Sequence, residues 1–215
     1  MIYADKPFPR VLTIAGSDSG GGAGIQADLK TFGALGAYGA SVITAVTAQN
    51  TKSVQGVHTV PAEMVRQQCE SVFSDIRIDA VKIGMLPDTE SIRTVAGVLR
   101  CHPAPFVVAD PVLVATSGDR LALENTVETI LSELMPLADL LTPNLNELAQ
   151  LTGKMLPQDE KEMLEQGEML LKRGAKAVLL KGGHWSGEFA RDWLVRPDAD
   201  PQCFINSRID TRHTH

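Results

Sequence analysis

The sequence predicts an α/β fold with a mostly parallel central sheet. Short apolar runs alternate with amphipathic stretches along almost the whole chain, and each stretch is long enough to form a helix between two strands. The length of 215 residues fits one domain with a substantial core. No internal repeat, low-complexity tract or long linker divides the chain. We therefore expect a single domain over residues 1–215.

Strands are predicted where apolar and often β-branched residues follow one another. These runs lie at residues 10–15, 40–47, 53–60, 80–83, 106–109, 137–141 and 177–180. The run 53–60 differs from the others, because its polar and apolar residues alternate as they do in a half-exposed strand.

Helices are predicted where apolar residues recur three or four positions apart. The first helix has its apolar face at Ile25, Leu29, Phe32 and Leu35. Pro61 can start the second, whose buried face consists of Val65, Cys69, Val72 and Phe73. Further helices are predicted around residues 89–100, 121–134, 145–151 and 159–173.

The final part of the chain departs from this alternation. Residues 189–195 and 203–209 are typical of antiparallel strands, with a turn at 197–201 between them. A parallel α/β sheet normally covers each strand with a following helix. No such helix follows the last strand, so we expect the fold to lack its C-terminal helices.

Composition excludes several classes of function. The net charge is −6 and no run of Lys or Arg offers a track for phosphates, so we expect no nucleic-acid partner. No apolar run approaches the length of a membrane span, and residues 1–10 carry charges and two prolines without an apolar region, so we expect no signal peptide there. The cysteines at positions 69, 101 and 203 form no C-x-x-C pair, which is typical of reduced thiols in a cytoplasmic protein. The pair His213 and His215 lacks further ligands, so we expect no metal there.

The glycine-rich segment 16–28 follows the first strand and leads into the first helix. Such a turn brings backbone N–H groups close to a small ligand, often a phosphorylated one. No Lys follows its glycines, so it is not a Walker A loop. Residues 22–27 match the dinucleotide pattern G-x-G-x-x-A, but the second strand ends in Thr47-Ala48-Gln49-Asn50 without the acid that a ribose needs. A tight turn with no ligand is the remaining alternative.

Six segments in order along nearly the whole chain carry a resemblance to a known family. They are G-S-D-S-G-G-G-A-G-I-Q-A-D at 16–28, S-V-I-T-A-V-T-A-Q-N at 41–50, K-I-G-M-L at 82–86, D-P-V at 110–112, T-P-N-x-x-E at 142–147 and K-G-G-H at 181–184. The chain resembles the hydroxymethylpyrimidine/phosphomethylpyrimidine kinases of the ribokinase-like fold. The resemblance implies a three-layer sandwich around the sheet.

The same resemblance implies phosphorylation that depends on ATP and Mg²⁺, in thiamine biosynthesis. The first substrate would be 4-amino-5-hydroxymethyl-2-methylpyrimidine, whose monophosphate is then phosphorylated to the diphosphate. In this family the glycine-rich segment belongs to the pyrimidine side of the cleft. By match of motif, the pyrimidine pocket would be lined by Gly16, Asp28, Gln49, Met85 and Val112.

Three of these residues can also be interpreted from the chemistry of their side chains. The amide of Gln49 can pair with both donors and acceptors on the edge of an aminopyrimidine, or it can be an ordinary polar residue at a strand end. The sulfur of Met85 can contact the ring, or it can fill the core. Asp28 lies beside the apolar stripe of the first helix, where a carboxylate can face a site or solvent.

The resemblance places ATP, phosphate and metal binding at other strand ends. Asn144 and Glu147 would form the family's N-x-x-E element, which organises Mg²⁺ and phosphate through water, with Asp110 nearby as a second metal residue. Asn144 can equally act as a helix N-cap. Lys181 would approach the nucleotide, or it is an ordinary surface cation.

The family pattern continues beyond residues 212–215 into G-T-G-C and a helix, which bind the transferring phosphate and supply a catalytic residue. No catalytic residue of that kind lies within the 215 residues. An anion hole is a main element of phosphoryl transfer, so we expect the sequence as given to bind poorly and catalyse little.

Two other functions remain open from the sequence. Pyridoxal or pyridoxine kinase is a related phosphotransferase, which comparison of turnover on the two substrates would distinguish. A pyrimidine-binding protein without catalysis would bind the pyrimidine tightly in calorimetry and leave it unphosphorylated. The family is commonly dimeric, so a homodimer is a further expectation.

Overall fold

The predicted alternation of strands and helices is present in the structure, a computed structural model that describes residues 8–113, 120–183 and 188–208, with the backbone alone for 120–124. These residues pack as two units that divide between Val107 and Val108. Each unit has its own strands, helices and buried residues. The single domain expected from the sequence stays a prediction.

The described strands follow the predicted runs closely. They are β1 Arg10–Asp18, β2 Tyr38–Gln49, β3 Val54–Thr59, β4 Ala80–Ile83, β5 Val107–Ala109, β6 Leu140–Leu141, β7 Val178–Lys181, β8 Phe189–Arg196 and β9 Ala199–Ser207. The described helices are α1 Gly24–Ala34, α2 Ala62–Asp75, α3 Thr89–Cys101, α4 Arg120–Thr129, α5 Leu145–Thr152 and α6 Glu160–Lys172.

In the first unit, β1 lies at the centre of the parallel part of the sheet. It pairs in parallel with β2 on one side and with β4 on the other, and β3 pairs antiparallel with β2. Leu12, Ile14, Val42 and Ile83 of these strands are fully buried. Because the carboxyl ends of parallel strands meet at one edge, the residues that end β1, β2 and β4 lie at the same edge.

In the second unit, β6 pairs in parallel with β5 and β7, and the hairpin of β8 and β9 continues the sheet antiparallel from β7. The core combines strand residues Leu141 and Leu180 with Leu148 of α5 and Met163 of α6, all of them almost inaccessible to solvent. The carboxyl ends of β5, β6 and β7 again share one edge of the sheet.

Three of the described helices begin with a side-chain cap. The carboxylates of Asp88 and Asp159 accept the backbone N–H groups of Ser91 and Glu162, respectively, and Asn144 caps α5. These bonds satisfy N–H groups that a helix start leaves without an intrahelical partner. Each cap therefore fixes the residue at which the chain enters its helix.

Two predictions about exposure are wrong. Leu35 is 80% exposed, because α1 ends at Ala34 and the left-handed Gly36 then turns the chain out of the helix. All six residues of β3 are exposed, although the alternating pattern predicts one buried face. Alternation identifies a strand, but a buried face also needs an element packed against it.

The structure also corrects the predicted ends of later elements. The helix predicted at 121–134 is α-helical only to Thr129 and continues as a π-helical turn, Ile130–Leu134. The strand predicted at 137–141 is confined to β6, because a 3₁₀ turn occupies Met135–Leu137. The turn predicted at 197–201 ends at Asp198, whose φ of 55° lets β9 begin at the next residue. Ile209, the predicted end of the last strand, lies outside the described residues.

Within the described ranges, no helix has both the length and the apolar character that a membrane crossing requires. All three cysteines are free thiols. Cys69 is buried in α2, and its burial raises the pKa of the thiol to about 12, with a smaller contribution from the neighbouring Glu70. This thiol therefore stays protonated at neutral pH.

Candidate functional site

The glycine-rich loop after β1 is organised around the carboxylate of Asp18. Asp18 Oδ1 accepts the backbone N–H of Gly20 at 2.8 Å, and Oδ2 accepts those of Gly22 and Ala23 at 2.9 and 2.8 Å. Asp18 is only 4% exposed. Three N–H groups of the loop therefore point inward to an acid. They are not free to bind an anion, although a glycine-rich turn often binds a phosphorylated ligand.

These bonds also determine the charge of the loop. Burial raises the pKa of Asp18, but hydrogen bonds that its carboxylate accepts from the backbone of residues 20–23 lower the pKa by more. The pKa therefore lies below its ordinary value. Asp18 is accordingly ionised at neutral pH. A buried negative charge inside the loop disfavours a bound phosphate at the same place.

Gly24 is the loop position where only glycine fits. Its φ is 56°, a left-handed conformation, and a Cβ there would collide with the carbonyl oxygen of Gly16. This close approach lets α1 start directly beside the end of β1. Gln26 of α1 strengthens the contact, because its Oε1 accepts the Asp18 N–H at 2.8 Å and its Nε2 donates to Ser17 Oγ at 2.8 Å.

Gln49 at the end of β2 is tied to the same loop. The hydroxyl of Ser19 donates to the Gln49 carbonyl at 2.7 Å and accepts the Gln49 N–H at 2.9 Å. Thr47 Oγ1 donates to the Ser17 carbonyl at 2.9 Å and lies 3.3 Å from Gln49 Oε1. The half-buried amide of Gln49 is thus positioned by the loop, and its Nε2 has no hydrogen-bond partner among the described residues.

Asp28 is not a simple solvated residue on α1. Its Oδ2 accepts Thr13 Oγ1 at 2.6 Å and lies 3.0 Å from Lys82 Nζ, and its side chain is 15% exposed. Thr13 belongs to β1 and Lys82 to β4, so this ion pair joins the helix to both strands. The sequence motif alone does not identify Asp28 as the partner of Lys82.

Met85 follows β4 and lies against Gly16. Thr44 Oγ1 of β2 donates to the Met85 carbonyl at 2.7 Å. A Cβ on Gly16 would lie 2.5 Å from Met85 Cε, so the two residues are in close contact. The structure therefore places Gly16 against Met85 and ties Gln49 to the same loop, whereas Asp28 lies on α1 beside β1 and β4.

A second polar cluster occupies the strand ends of the second unit. Lys181 Nζ, at the end of β7, lies 2.7 Å from Asp110 Oδ1 and 4.0 Å from Glu147 Oε2. Thr142 Oγ1 donates to Asp110 Oδ1 at 3.0 Å. Lys181 is therefore paired with two carboxylates and is not an ordinary surface cation.

Asn144 and Glu147 form a reciprocal cap at the start of α5. Asn144 Oδ1 accepts the Glu147 N–H at 3.0 Å, and Glu147 Oε2 accepts the Asn144 N–H at 2.8 Å. Burial raises the pKa of Glu147, and the N–H of Asn144 and the charge of Lys181 oppose the increase without cancelling it. Asn144 is thus a helix N-cap, and the carboxylate of Glu147 belongs both to the cap and to the charged cluster.

The turn after β7 is braced by the hairpin of β8 and β9. Asp192 Oδ1 accepts the Gly182 N–H at 3.0 Å, and Arg208 Nη1 donates to the Gly183 carbonyl at 2.7 Å. The next motif residue, His184, lies outside the described residues, as do His213 and His215. The backbone that follows Lys181 is therefore held from both sides up to Gly183.

The remaining predictions concern Val112 and the metal. Val112 is half-buried in the second unit, and its N–H donates to the Asp110 carbonyl at 2.8 Å. Its role in the pyrimidine pocket stays a prediction. Among the described residues, no three His, Cys, Asp or Glu side chains are grouped to hold a metal. Asp110 and Glu147 remain as a pair of carboxylates.

Sequence reasoning missed several residues that shape the two clusters: Asp18, Ser19, Thr44, Lys82 and Asp192. Asp18 could have been found, since an acid directly before a run of glycines is a frequent acceptor for the N–H groups of a turn. The signal for Lys82 is weaker. A charged residue inside an apolar strand requires a partner, but the sequence of the strand does not identify that partner.

Comparison with known proteins assigns the chain to a family. The family model described as phosphomethylpyrimidine kinase matches residues 18–215. Hydroxymethylpyrimidine/phosphomethylpyrimidine kinases of Rhizobium meliloti and Escherichia coli are 53% and 52% identical to the chain, and each match covers 95% of this chain and 76% of the relative.

Solved structures agree with the predicted ribokinase-like fold. A phosphomethylpyrimidine kinase from Clostridium difficile is 45% identical, with a TM-score of 0.80 over 91% of this chain and 84% of that one. A pyridoxal kinase from Bacillus subtilis, solved with ADP, has a TM-score of 0.88 at 33% identity over 96% of this chain and 78% of that one. The fold is thus common to both kinds of kinase, whereas the higher sequence identity lies with the pyrimidine kinases.

Proposed function

Because the chain belongs to the phosphomethylpyrimidine kinase family, we propose that it transfers the terminal phosphoryl group of ATP to 4-amino-5-hydroxymethyl-2-methylpyrimidine and then to the monophosphate of that pyrimidine. These are steps of thiamine biosynthesis, which the names of further relatives specify. The observation that carries the proposal for this chain is the placement of Lys181 between Asp110 and Glu147.

Lys181 is the cation that would meet the phosphates of ATP. Its side chain is 34% exposed, so its ammonium group can contact a ligand while Asp110 keeps it in position. Phosphoryl transfer depends mainly on positioning and on neutralising negative charge, which a lysine held at a strand end provides. Asp192 and Arg208 hold the backbone directly after it, so the lysine stands on a fixed turn.

Asp110 and Glu147 fit a magnesium ion by the chemistry of their free oxygens. Hydrogen bonds from described residues reach Asp110 Oδ1 and Glu147 Oε2, which leaves Oδ2 and Oε1 for a metal or its waters. Mg²⁺ is commonly bound through one or two carboxylates together with substrate phosphates and water. When bound, the ion would neutralise charge on the phosphates as they react.

The strand ends of the first unit would bind the pyrimidine. The Nε2 group of Gln49 can donate to a ring nitrogen, while its Oε1 can accept from the amino group. The thioether of Met85 can lie against the face of the ring. Asp28 completes the part of the proposed pocket that lies in this unit, with Lys82 and Thr13 fixing the orientation of the Asp28 carboxylate.

The decisive test is ADP release coupled to a pyrimidine substrate. With ATP, Mg²⁺ and the hydroxymethylpyrimidine, we expect ADP release to exceed the rate with ATP alone, and we expect Gln49→Ala to remove the stimulation. The assay is run on this sequence and on a version that continues through G-T-G-C, because the family pattern assigns a catalytic residue to that segment. Absence of any stimulation in both proteins would refute the proposed activity.

Pyridoxal phosphorylation is the second candidate, because pyridoxal kinases share the fold at TM-scores up to 0.88. The same assay with pyridoxal in place of the pyrimidine separates the two. We expect a clear preference for the pyrimidine, since the sequence identity to pyrimidine kinases is higher. Equal or faster turnover of pyridoxal would reverse the assignment.

A further inference from the structure

The backbone conformation at Gly16 does not require glycine. It lies within β1, and its φ is not among the positive values found at other described glycines. A side chain at residue 16 would instead meet Met85. A Cβ there would lie 2.5 Å from Met85 Cε, whereas the next nearest atoms, Ala45 O and Met85 Sδ, would be 3.7 Å away. The space that Gly16 leaves open is therefore filled by a single methyl group.

The backbone of Met85 is held in place from two sides. Thr44 Oγ1 donates to the Met85 carbonyl at 2.7 Å, and the N–H of the preceding Gly84 donates to Ile14 O at 2.9 Å. A Cβ on Gly84 would lie 2.9 Å from the Cβ of Ala15, so this segment is already packed tightly on β1. If space at residue 16 is lost, the side chain of Met85 has to move, because its backbone cannot.

We propose that Gly16 and Thr44 are positioning residues that act on the pyrimidine through Met85. Gly16 provides the seat for the Met85 methyl group, and Thr44 fixes the Met85 backbone above that seat. Together they set the distance between the thioether and the ring. The inference rests on the proposed function, which takes Met85 as a contact of the pyrimidine, but the seating of Met85 is testable without any ligand.

The ligand-free test observes the Met85 methyl group directly by NMR of protein labelled at its methionine methyl groups. The chain has seven methionines, and loss of one signal in Met85→Ala assigns that resonance. In Gly16→Ala we expect the Met85 signal to move or broaden while the other assigned methyl signals keep their positions. An unchanged Met85 signal in Gly16→Ala would overturn the inference.

Gly33→Ala is the matched control for this variant. Gly33 lies in α1 of the same unit, has no positive φ, and offers open space to an added Cβ. The same change of glycine to alanine therefore meets no neighbour there. We expect the Met85 signal of Gly33→Ala to coincide with that of the wild type, and a shift as large as that in Gly16→Ala would contradict a specific contact.

Binding of the hydroxymethylpyrimidine is then compared in a double-mutant cycle of Gly16→Ala and Met85→Ala. Displacing the Met85 methyl group from this position is expected to weaken binding of the pyrimidine by about tenfold. In the Met85→Ala background the obstacle is gone, so the second change is expected to have no further effect. A loss from Gly16→Ala that is equally large in both backgrounds would show that Gly16 contacts the ligand itself, which overturns the inference.

Thr44 supplies a variant that keeps the volume of the core. Thr44→Val removes the hydroxyl that holds the Met85 carbonyl, and Thr44→Ser restores it. We expect pyrimidine affinity to fall in the first and to recover in the second, with ATP affinity unchanged in both. If the wild type shows no response to the pyrimidine at Met85 or elsewhere, the proposed function fails. The seating of Met85 is then decided by the ligand-free spectra alone.

Discussion

The two polar clusters use their carboxylates in opposite ways. In the glycine-rich loop, both oxygens of Asp18 accept backbone N–H groups of its own segment, and those bonds lower its pKa. In the second unit, Asp110 and Glu147 are held by Lys181, and burial raises the pKa of Glu147. Both oxygens of Asp18 are therefore used in bonds within the loop, whereas Asp110 and Glu147 each keep one oxygen for a ligand.

This difference corrects the usual expectation for a glycine-rich loop. Such a loop binds phosphate when its N–H groups point outward. Here an ionised side chain already satisfies three of them, so an anion would have to displace a covalently tethered acid. The cluster around Lys181 instead has a cation held among oxygen ligands, which suits phosphates and a divalent metal. In the proposed function, the first cluster would bind the pyrimidine and the second would bind the phosphates of ATP.

The largest expected effect comes from removing the cation of the second cluster. In Lys181→Met, the affinity for a non-hydrolysable ATP analogue should fall about ten- to a hundredfold, because a charged hydrogen bond contributes about 1.5–3 kcal/mol. Titration calorimetry measures the change. The hydroxymethylpyrimidine should bind to the variant as it does to the wild type.

Lys176→Met is the control for that variant. Lys176 also pairs with an aspartate in the same unit, Asp139, at 2.8 Å, but its side chain is 54% exposed. An exposed pair contributes little, so its loss should leave ATP affinity unchanged. If Lys181→Met binds the analogue as tightly as Lys176→Met does, the distinction between the two clusters is wrong.

A smaller effect is expected from Asp18, and it should appear in stability. Asp18→Ala leaves three loop N–H groups without their acceptor, which should lower the free energy of unfolding by about 2 kcal/mol. Asp18→Asn keeps one side-chain oxygen and should lose less. Denaturant unfolding measures both, with Glu70→Gln on the exposed face of α2 as a control within about 0.5 kcal/mol of the wild type.

A loop that binds its ligand through Asp18 would give a different result. Asp18→Ala would then weaken ligand binding and leave unfolding almost unchanged. That outcome would reject a structural role for this carboxylate and would make the two clusters alike.

The smallest effect is the pH dependence of stability, where the two clusters should have opposite signs. The pKa of Asp18 is lowered in the folded state, so its stabilisation is present above its ordinary value of 3.8 and is lost as the pH falls through the lowered value. The pKa of Glu147 is raised, so its charged form costs stability at neutral pH, and that cost is relieved as the pH falls through the raised value towards 4.5.

Unfolding free energies of the wild type, Asp18→Asn and Glu147→Gln between about pH 3 and pH 7 measure these contributions. As the pH falls, the wild type should lose stability relative to Asp18→Asn below 3.8, and it should gain stability relative to Glu147→Gln on the way to 4.5. Curves with the same slope for both variants would contradict the opposite roles of the two carboxylates.

Most of the fold was predictable because its signals are local. The periodicity of apolar residues identified β1, α1 and β2, and Asn144 was recognisable as a helix N-cap. Predictions failed where a local pattern depends on its neighbours. The alternation in β3 does not reveal that both of its faces are exposed, and the helical spacing of Leu35 does not reveal that the helix has already ended.

By itself, the sequence determined the order and type of the elements, the position of the glycine-rich loop and the placing of polar residues at strand ends. The tertiary structure alone decided which partner each of those residues takes. Asp28 pairs with Lys82 across 54 positions, and Asp110 pairs with Lys181 across 71. The first pair depends on how α1 packs on β1 and β4, and the second on the register of β5, β6 and β7, and neither leaves a pattern within its own segment.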